Sequence, residues 1–256
     1  MRIKNFFEIL YVKVAANLKI EIAQYYLNYA WWVLEPIMTM GVFYLVFGIL
    51  LNRGTEYFVA FLLVGLTSWN WFSQGVSSSL ESILKNKSLI LQTKIPKIIF
   101  PWIIVCQTTF KHFIVTGILL LFLVFYPTPI TICWISLPLL MVVQFLLITA
   151  TATFCAAIVP FLPDLTFVIK TLLRLMFYGS GVFFNIDKVV LPEHTSILYL
   201  NPIAGLLQNY RKILIYGEWP DWVYIGNVFI FSCLFMLLAI LMVFRLDDKY
   251  PRVCMQ

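Results

Sequence analysis

Residues Trp222 to Phe244 read WVYIGNVFIFSCLFMLLAILMVF, an apolar run without one charged side chain, closed by Arg245, Asp247, Asp248 and Lys249. At a rise of about 1.5 Å per residue, a helix of this length reaches across the roughly 30 Å hydrocarbon core of a bilayer. Such a helix is apolar on every face, whereas a helix at the surface of a soluble domain shows one apolar stripe. The run predicts a membrane span.

Five further stretches fit the same template, at residues 30–51, 57–80, 100–126, 130–159 and 168–184. The composition agrees, with 62% hydrophobic and 12% charged residues against roughly half apolar in soluble domains. The expected fold is an all-α membrane protein of six transmembrane helices. Residues 29–248 form one membrane domain, since no internal repeat or low-complexity linker divides it. Residues 249–256 are read as a cytoplasmic tail.

Ahead of the first span, Ile3, Phe6, Phe7, Leu10, Val14, Leu18 and Tyr25 recur at spacings of three and four, with Lys4, Glu8, Lys13 and Lys19 off that stripe. Residues 1–28 therefore read as an amphipathic helix on the cytoplasmic membrane surface, a placement compatible with binding a partner. The charges also interrupt any signal-peptide core, so no cleavage is expected.

The net charge of +6 raises nucleic acid as a partner, but its distribution favours the lysine and arginine excess of cytoplasmic loops. Twelve of the cations, among them Lys85, Lys87, Lys94, Lys97 and Lys170, fall on the side of both termini, and four, including Arg211 and Lys212, on the other. Both termini are expected in the cytoplasm of a multi-pass membrane protein, with lipids and not nucleic acid around it. The five cysteines are scattered and form no C-x-x-C pair, which suits small buried hydrophobes.

Catalytic signals are missing. There is no G-x-x-x-x-G-K-[ST] phosphate loop, and the two histidines, His112 and His194, form no H-E-x-x-H metal motif. No catalytic residue, metal site or cofactor is expected in this chain, so work against a gradient must draw on another subunit or an ion. The charged groups within spans, Glu35, Lys111, His112 and Arg174, form no proton relay. Glu35 and Arg174 lie near span ends and either snorkel or line a channel. A membrane-embedded transferase using Asp187, Glu193, His194 and Asp221 is an alternative, though no spacing among them marks an acid and base pair.

Aromatic residues are the stronger signal. Tyr44, Phe47, Phe177, Tyr178, Phe183 and Phe184, with Arg174, are candidate channel-lining residues, because flat rings suit the C–H faces of sugars and lipid gives a buried hydroxyl no partner. Trp31, Trp32, Trp69, Trp71 and Phe72 are candidates for the interfacial belt. The segment from Ser77 to Ile90, bounded by Pro96, is either a solvated loop or a lever docking on a motor subunit.

Over nearly its whole length the chain resembles the permease subunits of type 2 ABC transporters that export O-antigen, capsule or teichoic-acid polymers. The shared marks are Tyr25-Tyr26 before Trp31-Trp32-Val33-Leu34-Glu35-Pro36, Gly65-Leu66-Thr67-Ser68-Trp69-Asn70-Trp71-Phe72, Asn86-Lys87-Ser88-Leu89-Ile90 before Pro96, and Asn201-Pro202-Ile203 before Tyr210-Arg211. The chain departs from the family at Pro163-Asp164, where Arg-Asp is usual, and at Ser180-Gly181, where Ser-Pro is usual. The resemblance implies a homodimer above two ATP-binding subunits that hold the ATP and Mg, with a lipid-linked polysaccharide as substrate. It also implies that Lys85, Asn86, Lys87, Ser88, Leu89 and Ile90 couple to the ATPase, and that residues 185–210 form re-entrant or gate segments on the outer side. A drug or small-lipid exporter shares the architecture and differs in cargo.

Overall fold

Inside a bilayer the backbone finds no water to bond with, so each apolar run must satisfy its own N–H and C=O groups as a helix. The structure, a computed structural model, describes residues 3–23, 30–50, 57–92, 95–186 and 198–250, and every regular element among them is helical. Helix α1 spans Ile3–Ala23, α2 Ala30–Phe43 with a π-helical continuation Tyr44–Leu50, and α3 Phe58–Ser79. Two short helices follow, α4 at Ser82–Lys85 and α5 at Lys87–Gln92. Then come α6 at Ile99–Phe125, a 3-10 turn Ile132–Ser136 leading into α7 at Leu137–Ile158, and α8 at Leu165–Gly179. Helix α9 spans Pro202–Arg211 and continues π-helically over Lys212–Tyr216, and α10 spans Trp222–Leu246.

Among the described residues three stretches are long and apolar enough to cross a bilayer, Ile99–Phe125, Ile132–Ile158 and Trp222–Leu246, with a shorter apolar stretch at Ala30–Val46. Helix α3 is less apolar than these yet holds the centre: Val59 to Trp69 is buried on every side. It packs against α6, α7 and α9, while α10 lies along α7 in the most extensive helix pair. Polar groups fasten the centre. Ser68 Oγ donates to Gln144 Oε1 and Gln144 Nε2 donates to the Ser68 carbonyl, both at 2.8 Å and both buried.

A second apolar cluster sits at the α4–α5 end. Ile83, Ile90, Ile99 and Phe100 meet Ala156, Ala157, Val243 and Tyr250, and α1 lays Phe6, Ile9, Leu10 and Val14 against it. Lys97 pairs with Asp247 at 3.0 Å, and the Tyr250 hydroxyl donates to the Ala157 carbonyl at 3.1 Å. These contacts tie the end of α10 to the segment between α3 and α6.

Two differences from the sequence reading have plain causes. The fifth apolar stretch was expected to run as a span through residue 184, but the helix stops at Gly179 and the chain turns at Ser180 and Gly181, where Gly181 adopts φ +68°. Such a left-handed backbone suits glycine, and the apolar side chains beyond it gave hydropathy no reason to end. In α1, Phe7 is 56% exposed although its spacing placed it on the apolar stripe; Phe6 takes the packing position instead. Tyr25, the 52–56 turn, Asp187, Glu193, His194, the tail beyond residue 250 and the Phe47 side chain lie outside the described residues.

Candidate functional site

The segment joining α3 to α6 is built as a knuckle. After α4 the backbone breaks at Asn86 (φ −106°, ψ 23°), whose N–H donates to the Ile83 and Leu84 carbonyls and whose Nδ2 donates to the Ser82 carbonyl at 2.8 Å. Helix α5 then restarts at Lys87. Ile83 and Ile90 are buried in the second cluster, which seats one face of the knuckle, while Lys85, Lys87 and Ser88 point outward and Leu89 is half-buried. Lys85 makes a 3.2 Å pair with Glu81, an exposed contact of little energetic weight. The six residues read as a coupling element thus run across the break between α4 and α5, with Ile90 seated in the second cluster and Lys85, Lys87 and Ser88 exposed.

The aromatic candidates divide. Trp31 is exposed, Tyr44 is 43% exposed with its ring edge against Phe122 at 6.4 Å, and Tyr178 is 63% exposed. Phe177 is half-buried and gathers Trp69, Tyr178 and Phe183 around it at centroid distances of 5.7, 5.4 and 5.1 Å. Phe183 and Phe184 follow the end of α8 rather than lying within it. The interfacial expectation for Trp69, Trp71 and Phe72 is corrected: each is at most 4% exposed and packs inside the helix bundle. The spacing alone could not tell a ring facing headgroups from one facing neighbouring helices. Trp32 keeps a more peripheral position, with its ring 6.0 Å from Phe110 and 5.6 Å from the Lys111 ammonium.

Two polar clefts flank α3. One, of about 160 Å³ between α2, α3 and α6, is lined by Glu35, Thr39, Asn70, Gln74, Lys111 and His112. Lys111 donates to Glu21 of α1, and His112 stacks on Trp71 at 4.1 Å and meets Thr116 Oγ1 at 3.1 Å. Lys111 and His112 therefore fasten helices together, one to α1 and the other to Trp71. The other cleft, about 390 Å³ between α3 and α8, is lined by Asn70, Ser73, Ser77, Lys170, Arg174 and Phe177. Asn70, exposed on α3, lines both clefts.

Sequence reasoning missed the role of Arg211. It is 1% exposed at the end of α9, with Nη1 and Nη2 donating to the Gly181 and Val182 carbonyls at 2.8 Å and Nε to the Phe61 carbonyl at 3.2 Å. Its guanidinium lies 3.4 Å from the Phe61 ring centroid. A basic residue ending an otherwise uncharged helix was the available signal. Its partners lie 29, 30 and 150 residues away in the chain. Among the described residues no group of His, Cys, Asp and Glu is arranged to hold a metal ion.

Residues 12–215 match the family model described as ABC-2 type transporter. Similar curated proteins carry the name O-antigen export system permease protein RfbA. One, from Klebsiella pneumoniae, is 25% identical over 82% of this chain and 82% of its own. A second from the same organism is 22% identical over 96% and 95%, and one from Myxococcus xanthus is 26% identical over 81% and 80%.

Proposed function

The chain belongs to the ABC-2 type transporter family, and from that membership we propose that it is the channel-forming permease subunit of an ATP-driven exporter of a lipid-linked polysaccharide, O-antigen foremost. It resides in the bacterial inner membrane with both termini in the cytoplasm. Two copies assemble over two ATP-binding subunits, which supply ATP and Mg.

One observation carries the reading. Helices α2 and α8, which with their continuations bear the channel-lining aromatic candidates, are little covered by the rest of the chain: among the described residues Met40 is the one buried in α2, and Thr166 and Leu173 are those buried in α8. Helix α8 is strongly amphipathic and turns Lys170 and Arg174 toward the polar stripe of α3. The charged side of α8 has no stable place against lipid tails, and a second copy placed across it and the exposed rings encloses a wet conduit. Exposed rings along such a wall give weak, repeated contacts on which a polymer slides. The knuckle at 85–90, seated by Ile83 and Ile90, is the lever through which the ATPase moves α3 and α6.

A deletion strain tests the cargo. Loss of surface polysaccharide with unchanged drug tolerance is expected, and Tyr44→Ala or Tyr178→Ala should lower export while the protein still assembles with its ATPase. Wild-type surface polysaccharide in the deletion strain overturns the reading.

A further inference from the structure

Helix α8 carries Lys170 and Arg174 one turn apart on its exposed side, and neither has an ion pair or hydrogen bond among the described residues. Arg174 is nine residues past Leu165, about 14 Å along the helix axis, whereas a headgroup layer is only roughly 5–8 Å deep. Lys170, five residues past Leu165 and so about 7.5 Å along, is near the inner edge of that layer, whereas Arg174 lies deeper, where a cation costs up to about 3 kcal/mol at the centre of a span, and the two repel each other. Neither contributes to packing that would explain its presence. No carboxylate is among the residues lining the groove, and Glu81, just past the end of α3, is paired with Lys85.

We propose that the groove between α3 and α8 binds a phosphate or diphosphate group, the anionic joint of a lipid-linked substrate. The inference deepens the exporter reading and rests on it. The chemistry of the groove suits that group better than sugar: a guanidinium fork and an ammonium point charge both engage phosphate oxygens, and neutral hydroxyls cannot balance two cations. Asn70, Ser73 and Ser77 supply further donors from α3. Trp69 and Phe177 offer an apolar side to the first lipid or sugar unit. At about 30 Å³ per water the groove holds roughly a dozen waters, room for a diphosphate with part of its hydration.

The full chain in nanodiscs of phosphatidylcholine is titrated with a radiolabelled polyprenyl diphosphate. Saturable binding is expected, with polyprenol of the same length failing to compete. Lys170→Gln with Arg174→Gln should weaken it at least about tenfold, the effect of losing one charge-assisted hydrogen bond or more, and Arg174→Lys should fall between. Both side chains are exposed, so an unchanged gel-filtration profile is expected of the variants. Competition by inorganic pyrophosphate assigns recognition to phosphate alone, and its failure assigns it to a phosphate presented at membrane depth; either supports the site when the double variant loses binding. Equal competition by phosphatidylglycerol, equal binding of polyprenol, or wild-type affinity in the double variant overturns the proposal. Because binding is read on purified protein, its failure is distinct from failure of the exporter reading, which the deletion strain reports.

Discussion

Arg211 offers the sharpest test of the packing. Its side chain spans three elements at once, joining α9 to Phe61 of α3 and to the turn after α8. Hydrogen bonds from a charged donor contribute about 1.5–3 kcal/mol each in soluble proteins, but interhelical bonds in membranes average nearer about 0.6 and reach about 1.7. The two 2.8 Å bonds end on a turn, where the carbonyls have no helical partner, so about 1.5 kcal/mol apiece is reasonable there. With a smaller share from the 3.2 Å bond and the Phe61 ring, and the relief of a buried cation set against them, Arg211→Ala should cost about 3 kcal/mol. Gly65 provides a second handle, because a Cβ there would sit 2.5 Å from Nη2 and force the guanidinium aside. Gly65→Ala should therefore cost about 2 kcal/mol alone and almost nothing once Arg211 is Ala, a coupling of at least about 1 kcal/mol. The assay is reversible unfolding in mixed micelles titrated with dodecyl sulfate, followed by circular dichroism. A Gly65→Ala cost unchanged in the Arg211→Ala background, or an Arg211→Ala cost under about 0.5 kcal/mol, refutes the reasoning.

Gln144 is fully buried and makes both bonds to Ser68, so Gln144→Leu should lower stability in the same assay by about 1–2 kcal/mol while helix content stays the same; a stabilised variant would mean the α3–α7 contact is apolar packing alone. Ile90→Asp places a charge in the second cluster and should unseat α5, so that stimulation of the ATPase is lost and protease cuts faster between residues 85 and 97; Lys87→Ala, on the exposed side, should leave the protease pattern as in wild type.

Much of the helical layout was legible because lipid imposes it: a bilayer admits helices and leaves apolar runs as their signature. The starts of α6 and α10 lie at Ile99 and Trp222, where the apolar runs begin. What hydropathy could not read was the turn at Gly181, set by a backbone angle, and the destination of Arg211, set by partners far along the chain. Nor could it place Trp69, Trp71 and Phe72, whose burial depends on which helix stands beside α3.

The deeper reason is that in a membrane apolar character measures contact with lipid, not burial. Helix α10, among the most apolar, leaves Leu234, Leu237 and Leu241 more than half exposed, as lipid contact requires. Helix α3, with serines, threonine and glutamine on its faces, is wrapped by its neighbours, where Gln144 and Arg211 can answer its polar and backbone groups. Helix α8 belongs to neither class: it is short, amphipathic and charged, and it is little covered within the chain. A helix whose charged side suits neither lipid nor core suits a wet surface, which is why the proposed conduit is drawn along α8.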